Sequence, residues 1–285
     1  MMKEHGFLVI DKPAGMTSHD VVAKLRRRLG TKQVGHAGTL DPMATGVLVV
    51  GINNATKFLQ YIVTGKKRYL ASIRLGISTV TDDREGEVLE TRDWKSVNDQ
   101  SILNALEKFQ GKLMQIPSSV SAKKIEGERA YNLVRAGKTV ELAAKEISIY
   151  ELRILEIRRS EFLDVDIDVT CSPGTYIRSI ARDLGSMLGV GGHLISLRRT
   201  EVEPFRLEDA GDIDSAKILP LTESITKVLP RRDLGFDEVA ELRFGRRIKR
   251  SLDEGPVVGV APNGEVAAII ENRDEQAQPL AVFNS

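Results

Sequence analysis

The stretch FLDVDIDVTC, Phe162 to Cys171, alternates strictly. Leu163, Val165, Ile167 and Val169 fall on one side and Asp164, Asp166 and Asp168 on the other, the period-two pattern of a strand with one apolar and one polar face. It ends in the turn Ser172-Pro173-Gly174, after which TYIRSIARDLGSML resumes with helical spacing at Ile177, Ile180, Ala181 and Leu184. A strand, a turn and an amphipathic helix in direct succession demand a layered fold with the helix against a sheet. They also put Arg178 in a first helical turn beside a strand end, where sites on α/β sheets form.

The same reasoning organises the rest. Phe7 to Ile10 reads as a short buried strand stopped at Lys12-Pro13. TSHDVVAKLRRRLG reads as a helix, with Thr17 and Asp20 as a capping box, Val21, Val22, Leu25 and Leu29 as its apolar face and Gly30 as its stop. GVLVVGI is a continuous apolar run of strand length, ATKFLQYIV a brief helical stretch, and RYLASIRLG an alternating strand with Tyr69 at its entrance. SILNALEKFQGKL has helical spacing. Past Pro230, DLGFDEVAELRFGRRIKR predicts a short helix and a basic segment, and PVVGVAPNGEVAAII a hairpin around Pro-Asn-Gly. The fold class is therefore α+β: a mixed sheet with helices, plus a small β module at the carboxyl end.

With 285 residues the chain can build a large domain and a small one. Its single cysteine, Cys171, excludes an intrachain disulfide and reads as a small buried hydrophobe. The four histidines, His5, His19, His36 and His193, lack metal-ligand spacing, so no metal is expected. No apolar run can span a bilayer and no signal peptide is visible, which makes the cytoplasm the expected compartment. Net charge is only +1. Yet residues 1–75 carry Lys3, Lys12, Lys24, Arg26, Arg27, Arg28, Lys32, Lys57, Lys66, Lys67, Arg68 and Arg74 against Glu4, Asp11, Asp20 and Asp41. That asymmetry suits a basic face meeting phosphates; a solvated basic helix face explains it equally well.

There is no G-x-G-x-x-G, no Walker sequence and no G-x-S-x-G elbow. What stands out instead is GHAGTLDPMATG, residues 35 to 46, with one carboxylate, Asp41, in a Gly- and Thr-rich turn. It is either an ordinary polar turn or a carboxylate held for a task. If Asp41 is buried, a cation or hydrogen bonds must keep it ionised, and the fixed guanidinium of Arg178 is suited to that. An ionised, partly desolvated carboxylate is a nucleophile or a base, and a tyrosine at the pocket mouth could stack on a flat substrate. Spacing alone does not bring these residues together.

The blocks VIDKPAGMTSHDVV, VGHAGTLDPMATGVLVV, KRYLASIRLG, SAKK, CSPGTYIRSIARDLG, GGHLISLRRT and LRFGRRI together resemble the bacterial TruB family, tRNA pseudouridine synthases acting on uridine-55. The resemblance implies a mainly antiparallel pseudouridine-synthase sheet flanked by helices over 1–229 and a small β-rich PUA-like RNA-binding domain over 230–285. Asp41 resembles the catalytic aspartate that attacks the target nucleoside, so that the uracil detaches, rotates and rejoins the ribose through carbon. Tyr69 resembles the tyrosine that stacks on the uracil and helps deprotonate C5, and Arg178 the partner of the aspartate. Tyr176 and Leu197 match substrate-pocket positions, and His36 matches the histidine that fills space vacated by everted bases. Lys12 and Pro13 read as structural.

The reaction has no redox change and no net hydrolysis, so no cofactor is implied. The implied partner is tRNA, through its T-arm, elbow and acceptor stem, with no membrane, no obligatory protein partner and a monomeric enzyme. Ser118 and Val120 depart from the family's commoner Pro-Pro-x-Tyr-Ser-Ala pattern. Two rival readings are a guide-RNA-dependent synthase of archaeal or eukaryotic type, expected to carry a longer leading extension, and a tRNA-folding chaperone without essential catalysis.

Overall fold

The computed structural model describes residues 4–118, the strand fragments 124–125 and 128–129, and 143–283. Val120 and most of the SAKK block lie outside the described residues.

The amino-terminal half lays down β1 (Gly6–Lys12), α1 (Ser18–Leu29), β2 (Val34–His36), β3 (Thr45–Ile52), β4 (Lys67–Leu75), α2 (Asp99–Glu107) and β5 (Gly111–Gln115). After it come β6 (Lys145–Arg159), β7 (Leu163–Cys171), α3 (Ile177–Met187), β8 (Gly192–Val202), β9 (Phe205–Arg206) and β10 (Leu219–Pro220). These strands form one ten-stranded sheet in the order β10-β1-β3-β8-β4-β7-β6-β5, with β2 beside β3 and β9 beside β8. All pairings are antiparallel except β3 with β8, where Thr45 faces Arg198 and Gly46 faces Arg199. The chain passes so close there that a Cβ on Gly46, whose φ is +100°, would lie 2.1 Å from the Arg199 carbonyl oxygen. Only glycine fits.

Local rules account for the elements around the site. Helix α1 starts on the expected capping box, with Asp20 N–H donating to Thr17 Oγ1 at 3.1 Å and Thr17 N–H to Asp20 Oδ2 at 2.9 Å, and it ends at Gly30 in the left-handed conformation. Its Val21, Val22 and Leu25 cover Leu8, Ile10, Leu48 and Val50. The opposite face of the same strands, Phe7, Val9, Val47 and Val49, is also buried, which is why β1 and β3 read as continuous apolar runs instead of alternating ones.

Strand β7 keeps its two faces distinct. Leu163, Val165, Ile167 and Val169 pack in the core with Ile177, Ile180, Ala181 and Leu184 of α3. The aspartates are tied to arginines: Arg74 Nε to Asp164 Oδ1 and Arg68 Nε to Asp168 Oδ1, both at 2.8 Å, and Arg158 to Asp166. Four residues of the amino-terminal basic set are accordingly committed to partners within the fold. Arg68 and Arg74 serve this ladder, while Lys12 and Lys67 are buried. Lys24, Arg27, Lys32, Lys57 and Lys66 stay exposed.

The carboxyl-terminal part contains β11 (Arg231–Asp233), α4 (Phe236–Arg243), β12 (Ile248–Lys249), β13 (Pro256–Val260), β14 (Val266–Arg273) and β15 (Gln276–Val282), a five-stranded sheet ordered β11-β13-β14-β15-β12. The hairpin around Pro-Asn-Gly is β13–β14. This sheet does not hang free. Val258, Val260, Ile269 and Phe283 pack into the same core as Phe7, Val9 and Val49, and Phe283 stacks on Phe58 with ring centroids 5.1 Å apart.

Candidate active site

The GHAGTLDPMATG turn is clamped from several sides. The buried Ser18 hydroxyl, first in α1, donates to Leu40 O at 3.2 Å and accepts from Leu40 N–H at 2.9 Å. Gly15 N–H donates to Pro42 O at 2.9 Å. Lys12 Nζ, fully buried, donates to Met16 O at 2.7 Å, Pro13 O at 2.9 Å and Pro42 O at 3.3 Å. Burial pulls the Lys12 amine down to about 8, against the attraction of Asp41. From β8, Arg199 holds Gly38 O and Thr39 O at 3.0 and 3.4 Å. Gly38 itself has φ +89°, a left-handed conformation open to glycine. The turn is therefore built to fix what it carries.

It carries Asp41, and Arg178 meets it with two nitrogens: Nε to Oδ2 at 3.0 Å and Nη2 to Oδ1 at 3.3 Å. The guanidinium side chain is only 6% exposed and the carboxylate 36%, so the carboxylate is held on one side and open to the pocket on the other. It is less dry than full burial would make it. A cation in the first turn of α3 opposes the helix dipole, and its remaining donors are correspondingly well occupied. Nη1 reaches Thr81 O at 3.0 Å, Asp83 Oδ2 at 3.4 Å and Ser118 Oγ at 3.5 Å. Asp83 is as buried as Arg178 and receives Glu85 N–H at 3.0 Å. Arg178 thus bridges two carboxylates, one exposed to the pocket and one locked beneath it.

The pocket has a volume of about 420 Å³, within the range of small-ligand clefts. Asp41, Tyr69, Tyr176, Arg178 and Leu197 all line it. Tyr69 is buried at the start of β4, and burial pushes its phenol up while the neighbouring Arg199 pulls it down. Tyr176 N-caps α3, and its backbone is held by Gln115, which accepts from Tyr176 N–H at 2.8 Å and donates to Tyr176 O at 3.0 Å. Leu197 serves both the core and the pocket wall.

His36 stands apart, at the end of β2 and outside the pocket lining. It is half-buried, edge-on to His19 with centroids 5.4 Å apart, and burial together with His19 holds its imidazole below the ordinary value. Cys171 is buried in the core, its thiol pushed up to about 11 by burial. Among the described residues, no group of three or more His, Cys, Asp or Glu side chains gathers as a metal site requires, and no helix is long and apolar enough to cross a membrane.

Residues 26–177 match the family model described as TruB family pseudouridylate synthase, N-terminal domain. The chain belongs to the TruB family. Residues 178–223 match the tRNA pseudouridylate synthase B C-terminal domain, and residues 229–284 the model named tRNA pseudouridine synthase II, C terminal. Among curated relatives, the tRNA pseudouridine synthase B of Thermobifida fusca is 49% identical over 98% of both chains. That of Corynebacterium efficiens is 48% identical over 99% of this chain and 97% of its own. Among solved structures, the archaeal box H/ACA sRNP Nop10–Cbf5 complex matches with TM-score 0.71 at 23% identity, covering 99% of this chain and 86% of that one. That likeness is one of fold alone. It agrees with the expected pseudouridine-synthase sheet.

Five of the six expected site residues line one pocket. Ser18, Asp83, Gln115, Ser118 and Arg199 were not singled out as site residues from the sequence. Ser118, flagged only as a departure from the family pattern, makes a hydrogen bond to Arg178 that a proline could not.

Proposed function

We propose that this TruB-family chain isomerises uridine to pseudouridine in the T-loop of tRNA, at position 55. The observation that carries the reading is the two-point Asp41–Arg178 contact at a pocket also walled by Tyr69, Tyr176 and Leu197. The target base leaves its stack at a cost of a few kcal/mol. Stacking on Tyr69 and contact with the apolar Leu197 wall offset that cost, and His36 fills the space left in the loop. The Asp41 carboxylate acts on the nucleoside while Arg178 aims it through the two-point contact. The N1–C1′ bond breaks and a C5–C1′ bond forms. C5 then loses its proton toward Tyr69, the C5–H electrons restore the C5=C6 double bond, and N1 takes a proton.

The near full-length relatives named tRNA pseudouridine synthase B, at 45–49% identity, favour a tRNA substrate over the guide-RNA reading, because the Cbf5 likeness is much more distant. In the carboxyl-terminal part, exposed Phe236 on α4 and Phe244 just after it share a short stretch of chain with exposed Arg243, Arg246, Arg247, Lys249 and Arg250. Arg246 lies over the Phe244 ring, and the composition is suited to the acceptor end of tRNA. The protein is taken to work as a monomer in the cytoplasm. The test is to incubate purified protein with an unmodified tRNA transcript and nothing else, then map pseudouridine along the product. Modification at position 55 supports the reading. Modification elsewhere, or only with an added guide RNA, contradicts it.

A further inference from the structure

Two cations at this pocket, Lys67 and Arg199, make no ion pair among the described residues. Arg199, 1% exposed, is the one paired across strands with Tyr69. Its donors go to backbone instead, with Nε to Val47 O at 2.8 Å and the terminal nitrogens to Gly38 O and Thr39 O. The β4–β8 register sets Arg199 directly opposite Tyr69, and both side chains line the pocket. Its guanidinium charge favours the phenolate form of that neighbour. A single buried arginine therefore holds the turn that carries Asp41 and stands beside Tyr69.

We propose that Arg199 is a positioning residue for the second half of the reaction, acting through Tyr69 to fix its phenolic oxygen as the acceptor of the C5 proton. The inference rests on the role given to Tyr69 above. In this step the C5–H bond breaks, its electron pair re-forms the C5=C6 double bond, and the proton passes to the phenolate, which becomes phenol. Burial works against that phenolate, as do Asp41 and Cys171, which also face Tyr69, and Arg199 works for it. The proton-transfer rate accordingly rises with pH toward the phenol's own titration. Removing the guanidinium charge moves that rise to higher pH, by about one unit for a single adjacent charge.

The test follows single-turnover tritium release from tRNA labelled at C5 of uridine across pH. It uses the wild type, Arg199→Gln, Arg199→Lys, Tyr69→Phe and the Arg199→Gln/Tyr69→Phe double variant, with melting temperature and tRNA affinity alongside. Arg199→Gln is expected to slow release about tenfold at neutral pH, shift the rising limb to higher pH, and cost clearly less in the Tyr69→Phe background. The reaction of 5-fluorouridine-substituted tRNA, whose C5 has no proton to lose, should be slowed much less, by only what loosening of the Asp41 turn contributes. Arg199→Lys, which keeps the charge, should hold the limb near its wild-type position.

Equal slowing on the 5-fluoro substrate, or undiminished slowing in the Tyr69→Phe background, overturns the inference and assigns Arg199 to the Asp41 turn alone. Should Arg199→Gln fail to fold, Arg199→Lys decides: a limb displaced by about a full unit or more despite the retained charge overturns the proposal. Wild-type release by Tyr69→Phe itself refutes the role given to Tyr69, an outcome separate from any result on Arg199.

Discussion

The two sides of the pocket hold their charges differently. On the α3 side, Arg178 lies between two carboxylates, Asp41 and Asp83. On the β4–β8 side, Lys67 and Arg199 are buried and bonded to backbone carbonyls, with Lys67 Nζ on Val63 O and Gly65 O at 2.8 Å. A guanidinium–carboxylate contact at two points fixes the direction of a reacting group. Cations capped by carbonyls fix backbone instead, and they bring no second carboxylate to compete with Asp41 at the substrate. One wall orients the Asp41 carboxylate, and the other holds the backbone frame with buried cations.

Three substitutions break or sharpen that contrast. Arg178→Lys keeps the charge but loses the two-point geometry. Single-turnover pseudouridine formation should fall by about a hundredfold, the scale of a small misplacement of a catalytic group, with tRNA affinity little changed. A rate near wild type would mean that charge alone suffices. Asp83→Asn removes the lower anchor of Arg178 and should slow the same step by roughly tenfold, in keeping with a hydrogen bond to a charged group. In an Arg178→Lys background the added loss should shrink, because the two residues act as one unit; full additivity would show that Asp83 works elsewhere.

The remaining effect is on stability and concerns Lys67, whose amine is lowered to about 8 from its ordinary 10.5, by burial and then by Arg199. Between those values the unfolded chain binds more protons than the folded one, so this residue makes stability rise with pH, by at most about 1.4 kcal/mol per unit. Urea unfolding of wild type and Lys67→Met across that window should show their difference growing in favour of the wild type as pH rises. A constant difference would mean that the Lys67 amine keeps its ordinary value when folded.

What the sequence made legible divides along the same line. Helix α1 and strand β7 were readable because capping chemistry and periodicity are local: Thr17, Asp20 and Gly30 mark one, and the Leu-Asp-Val-Asp-Ile-Asp alternation the other. Asp41, Tyr69 and Arg178 were singled out by residue chemistry and by resemblance, and only the three-dimensional structure brings them together. Ser18, Asp83, Gln115 and Arg199 left no such trace. Each acts on a group distant along the chain, and no periodicity marks a side chain that holds a remote carbonyl or a remote guanidinium. The cross-strand balance of Arg68 and Arg74 by Asp168 and Asp164 is hidden from the charge count of the amino-terminal third for the same reason. The carboxyl-terminal hairpin was plain from its Pro-Asn-Gly turn, but its shared core with β1 and β3 depends on contacts such as Phe58 with Phe283.

The central claim is that the Asp41 carboxylate performs the chemistry from a pocket whose other parts position it. Tritium release from C5-labelled tRNA by Asp41→Asn, with tRNA affinity measured on the same preparation, tests it most directly. The account predicts release reduced by at least about ten-thousandfold, as for loss of an essential catalytic group, while binding stays close to wild type. Turnover at the wild-type rate by the asparagine variant would contradict it.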